Sequence, residues 1–79
     1  MIHAREDYNR IQDPAGKIAA DEPVFLLRAQ DKFAPEVVAY WASLALREGT
    51  CPEMAHMAMQ HSRAMKDWQH ENGKKTPDL

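Results

Sequence analysis

Arg28, Lys32, Arg63 and Lys66, with the rings of Tyr8, Tyr40, Trp41 and Trp68, are the residues of this 79-residue chain best suited to holding a ligand. Guanidinium groups fork onto phosphate oxygens, and lysines add mobile positive charge. Aromatic faces stack on bases. Arg63 and Lys66 stand three apart, which makes them neighbours on one helix face. Cations and rings together are what a nucleotide pocket requires, above all between subunits. The plainer reading is a solvated face paired with Glu22, Asp31, Glu36 and Asp67, which is the common fate of surface charge.

Catalytic chemistry has little support. The chain has no glycine-rich phosphate loop, no GxSxG and no HExxH. Cys51 stands where a helix start could activate a thiol, but no histidine is placed by spacing to serve it as base. Met54, Met57, His61 and Met65 would suit a soft metal if they shared a face, but methionine is first an adaptable packing residue. No catalytic residue, no metal ligand and no cofactor is therefore expected.

Composition narrows the classes. The large aliphatic and Phe residues are five Leu, three Ile, three Val and two Phe, a thin core for one small domain. A single cysteine excludes an internal disulfide, so self-association is the expected source of the missing stability. A net charge of −2 argues against wrapping long DNA or RNA. No apolar run approaches membrane-spanning length, and a lone thiol fits a reducing compartment. A soluble cytoplasmic protein with no membrane partner is the expectation.

The elements that must position these residues are helical. Residues 1–20 read as an N-terminal arm, anchored by Tyr8 and Ile11, with a turn at Asp13-Pro14-Ala15-Gly16. Residues 21–73 read as a helical domain. A short helix is expected over 23–30, with a strand over Val24 to Leu27 as the competing assignment for so brief an apolar run. Asp31 is expected to cap the turn into the next helix, with Gln30 satisfying a backbone carbonyl and Arg28 pairing with Asp31 or Glu36. A helix follows over 35–48, with Val37, Val38, Trp41, Leu44 and Ala45 as its buried stripe and Gly49 closing it. Thr50-Cys51-Pro52-Glu53 matches a capping box that opens a helix over 51–71. Met54, Ala58, His61, Met65 and Trp68 recur along that helix at heptad-like spacing, a seam for another helix. Asn72-Gly73 ends it, and 74–79 read as a disordered tail. The expected fold is all-α: a small hairpin of two longer helices plus one short helix, an extended N-terminal arm, and homo-oligomers joined through helix seams.

Asp21-Glu22-Pro23-Val24-Phe25-Leu26-Leu27-Arg28-Ala29-Gln30-Asp31, then Ala34-Pro35, Tyr40-Trp41-Ala42 and Met65-Lys66-Asp67-Trp68-Gln69, resemble small uncharacterised proteins encoded by bacteriophages, prophages and other mobile elements. The likeness covers roughly residues 8 to 72. It implies a phage setting inside a bacterial host and no established active site. Small proteins of that setting often blunt host defence by binding. The resulting expectation is a non-enzymatic homo-oligomer that sequesters a small anionic, cyclic nucleotide signal, with Arg28, Lys32 or Arg63 on phosphate and Tyr8 or Trp41 on the base. The alternative is an inhibitor or adaptor that binds a host protein such as a defence or CRISPR component. A helix-turn-helix reader of DNA fits poorly, because the second helix opens on Cys51-Pro52-Glu53-Met54-Ala55, acidic and poor in base-reading side chains.

Overall fold

The structure is a computed structural model that describes residues 1–3, 13–49 and 51–76. Two helices pack together: α1, Ala34–Glu48, and α2, Pro52–Asn72. Ahead of them, β1, Ile2–His3, pairs in parallel with β2, Pro23–Val24. The helix hairpin of the sequence reading is therefore present.

Both ends of α1 follow from local chemistry. Asp31 shapes the entry: its Oδ1 accepts the Phe33 N–H at 2.8 Å, and its carbonyl accepts the Ala34 N–H at 3.0 Å. Pro35 sits in the first turn, where its missing N–H costs nothing. Glu36 and Arg47 complement the dipole at the two ends. Gly49 closes the helix at φ 72°, donating its N–H to the Ala45 carbonyl. A Cβ at Gly49 would meet nothing within 4 Å, so only the left-handed backbone resists a side chain. Gly49→Ala should therefore destabilise by about 1 kcal/mol, the left-handed penalty less the entropy gained in the unfolded chain. Urea denaturation with an unchanged m-value is the measurement that checks it.

The entry to α2 lies one residue later than the capping box places it. Cys51 is the N-cap, with no side-chain capping bond, and Pro52 and Glu53 occupy the first turn. Thr50, the expected cap, lies outside the described residues. At the far end the Gly73 N–H reaches the Gln69 carbonyl at 2.8 Å, and Asn72 Nδ2 donates to the Trp68 carbonyl.

The short helix over 23–30 is not formed. Pro23–Val24 are extended against β1, residues 25–28 are irregular, and Ala29 and Gln30 turn. Eight residues lie below the length at which a helix sustains itself, so the backbone goes where tertiary pairing offers hydrogen bonds. Ile2 N–H donates to the Glu22 carbonyl at 2.7 Å, and the N-terminal ammonium donates to the carbonyls of Ala19 and Ala20. The Asp13 turn is formed. Gly16 N–H donates to the Asp13 carbonyl, and the Asp13 carboxylate accepts the N–H groups of Lys17 and Ile18. Tyr8 and Ile11, the expected anchors of the arm, lie outside the described residues.

The helix interface is made of small side chains, which corrects the expected stripe. Ala34, Pro35 and Ala42 of α1 are buried, with Val38 and Ala45 half-buried beside them. Ala55, Ser62 and Met65 face them from α2. Val37, Trp41 and Leu44 are exposed instead. Two of the five stripe residues, Val38 and Ala45, do sit at the interface, while Val37, Trp41 and Leu44 turn outward and alanine fills the contact. The Met/Trp seam divides in the same way: Met65 is buried and Ala58 half-buried, while Met54, His61 and Trp68 are exposed. Ser62 Oγ donates to the Pro35 carbonyl at 2.7 Å, which fixes the antiparallel register. The Pro35 carbonyl has a second lone pair free for this bond, and the bond satisfies the one polar side chain buried between the helices among the described residues.

A second set of bonds locks the corner before α1. Gln69 Nε2 donates to the carbonyls of Ala29 at 2.7 Å and Asp31 at 2.8 Å. The Lys32 N–H donates to the Lys75 carbonyl, and the Lys75 N–H donates to the Gln30 carbonyl, a parallel bridge of Asp31 with Lys75. The carbonyl-satisfying amide is thus Gln69, where the sequence reading had put Gln30. The segment read as a disordered tail contains Lys75, which is tied to this corner; 77–79 lie outside the described residues.

Candidate functional site

The corner and the last turns of α2 enclose a groove of about 810 Å³. Its lining is Lys32 from the corner, Pro35, Glu36 and Ala39 from α1, and Lys66, Gln69, His70, Gly73 and Lys74 from α2 and the residues after it. Three lysines face one carboxylate there, so the groove is net positive although the chain is net negative. The positive end of the α1 dipole also opens onto it, which favours an anion, while the negative end of α2 works against one. The lysines are exposed, so their charge acts through long flexible arms at modest strength.

The position of each cation has a structural cause. Lys66 and His70 stand four apart on one flank of α2, with Gln69 between them turned toward the corner. The two Gln69 bonds and the Lys75 bridge hold the corner against that flank, and this places Lys32 in the lining. Lys32 Nζ lies 5.1 Å from the centroid of the adjacent Phe33 ring. That distance is within cation–π range, and the ring is half exposed beside the lysine.

Of the residues that the sequence put forward for a ligand, Lys32 lines the groove. Arg63 is exposed three residues before Lys66 on the same flank of α2, outside the lining. Arg28 is exposed on the irregular segment before the corner, with no ion pair to Asp31 or Glu36. Trp41 is half exposed and does not line the groove. Tyr8 lies outside the described residues. Lys74 and His70 were missed as partners of Lys32. The shared flank of His70 with Lys66 was readable from their spacing of four, but Lys74 lies past the end of α2, and nothing local showed that the start of α1 and the end of α2 meet.

The opposite side of the hairpin is apolar. The groove draws on the flank of α1 that carries Pro35 and Ala39 and on the flank of α2 that carries Lys66 and His70, so those flanks share one face. At about 100° per residue, Val37, Trp41 and Leu44 fall on the other flank of α1, and Met54, His61 and Trp68 on the other flank of α2. These make the second face. Trp41 is 50% exposed, Trp68 43% and Met57, further round α2, 60%.

Among the described residues no group of His, Cys, Asp and Glu comes together that could hold a metal ion, and no helix is long and apolar enough to cross a membrane. Comparison with known proteins finds no match to a family model, to a curated protein or to a solved structure.

Proposed function

We propose that this chain is a non-enzymatic binding protein that sequesters a small anionic nucleotide, working as a homo-oligomer and serving a phage or mobile element against host defence. The lysine-lined groove carries the reading. Its volume of about 810 Å³ falls in the range of small-molecule sites, roughly 300–1,000 Å³. Its cations come from two elements that are distant in sequence and locked together by Gln69. The phage setting rests on the sequence resemblance and supplies the class of signal worth removing. A groove with no Phe, Tyr or Trp in its lining leaves the base to the His70 imidazole or to a ring brought to its rim, for which Phe33, next to Lys32, and Tyr8 are the candidates; Trp41, on the opposite face, is not one.

The test is calorimetry with a panel of cyclic di- and trinucleotides, with pyrophosphate as the bare anion. The nucleotide that binds should lose at least about tenfold in affinity, about 1.4 kcal/mol, in Lys66→Glu. Lys66 is exposed and outside the helix interface, so the variant should keep its fold by circular dichroism. Lack of binding across the panel, or full affinity in Lys66→Glu, would remove the groove from the reading.

A second reading draws on the apolar face: an inhibitor or adaptor that docks on a host protein. It predicts that the purified chain retains a macromolecule and no nucleotide.

A further inference from the structure

We infer that the apolar face is covered by a second copy of this chain, so that two hairpins stack face to face and both lysine grooves lie on the outside. The inference deepens the proposed function, because it gives the homo-oligomer a surface and each groove a place in it.

The core deficit is the first argument. The buried apolar side chains of the described residues are Ala34, Ala42, Ala55, Met65 and Pro35. Four of the five are alanine or proline, which contribute little transfer free energy on burial. Meanwhile Val37, Trp41, Leu44, Met54, Met57 and Trp68 are each exposed by between 39% and 60%. A molecule that buries its alanines and exposes its tryptophans has its larger apolar surface still to cover.

Area and charge select a second copy as the cover. At roughly 150–250 Å² for a large side chain, these six expose on the order of 600 Å² per copy. Two copies would bury about 1,200 Å² through them, the lower bound of a specific interface before any rim is counted. From Val37 to Leu44 and from Met54 to Trp68 the flank positions carry no Asp, Glu, Lys or Arg, and His61 is the polar member; the exposed Glu48, seven residues after Trp41, ends the stripe on α1. A two-fold contact sets one patch against itself, so a patch of a single charge sign meets its like. An uncharged stripe escapes that penalty. The groove face, with Lys32, Lys66 and Lys74, would not. Two antiparallel hairpins meeting in this way form a four-helix arrangement, in which the tryptophans and methionines supply a second core.

Sedimentation velocity on the full chain tests the inference. At high micromolar concentration the mass should be two copies or a larger even number of copies. Trp41→Glu should shift it to a smaller species, while Leu46→Glu, an equally apolar exposed residue on the other flank of α1, should leave it unchanged. Should Trp41→Glu fail to fold by circular dichroism, the milder Met57→Ala should raise the dissociation midpoint by about threefold or more, about 0.7 kcal/mol. Acrylamide quenching of tryptophan emission gives an independent reading, since Trp41 and Trp68 both lie on this face and should become accessible on dilution. A folded wild-type monomer at high concentration, an odd-numbered assembly, or equal effects of Trp41→Glu and Leu46→Glu would overturn it. A chain that binds nucleotide through Lys66 as a monomer would sink this inference alone and leave the groove standing.

Discussion

Met65→Ala should be the most damaging single truncation in the described fold, costing about 2–5 kcal/mol. Met65 is 7% exposed and is the one buried apolar side chain there longer than alanine or proline. It closes the interface beside Ser62, so its loss opens a cavity that short alanines cannot collapse to fill. Neighbouring positions offer no such leverage, because truncating an alanine removes almost nothing. The measurement is chemical denaturation at matched protein concentration, since association adds to apparent stability by mass action. Met65→Leu, close in volume, should cost under about 1.5 kcal/mol. Equal, small losses for both variants would mean that the helix pair is held by something other than this contact.

Gln69→Leu should produce the second large effect, about 2–3 kcal/mol, through two backbone carbonyls. The amide donates to Ala29 and Asp31 at once, and it is half-buried. A leucine fits the space but leaves both carbonyls to find water in a corner that packs against α2. The loss should be local before it is global. Amide exchange at Lys32 and Lys75, whose N–H groups close the bridge, should accelerate while exchange in the middle of α1 stays slow. Under the proposed function, nucleotide affinity should fall in parallel, because the same corner positions Lys32. Unchanged exchange at Lys32 and Lys75 would show that the bridge stands without the amide.

The elements legible in the sequence were those fixed by near neighbours. Gly49 and Gly73 mark the helix ends, and Asp31 shapes the start of α1 with its own carboxylate and carbonyl. What was not legible depended on separation. Val24 to Leu27 could not declare helix or strand, because Pro23 and Val24 are drawn out by pairing with Ile2 and His3, far earlier in the chain, and Phe25 to Leu27 follow as irregular backbone. Bulk marks Val37, Trp41 and Leu44 as the stripe of α1, yet the side that meets α2 carries Ala34 and Ala42, and those three lie outward. The groove shows the same limit. Lys32 and Lys66 were both visible as cations, but only the Gln69 bonds and the Lys75 bridge bring their elements together.

The bridge between Asp31 and Lys75 also orders events in time. Helix α1, the three-residue connection and α2 are contiguous, so their contacts close short loops. The bridge and the Gln69 bonds span about forty residues, and their ends meet only once the two helices already lie side by side. The corner that carries Lys32 is therefore the last part to assemble and the first to open. A chain cut short before Lys75 should keep the helix hairpin while the Lys32 corner loses its order, which amide exchange at Lys32 would read.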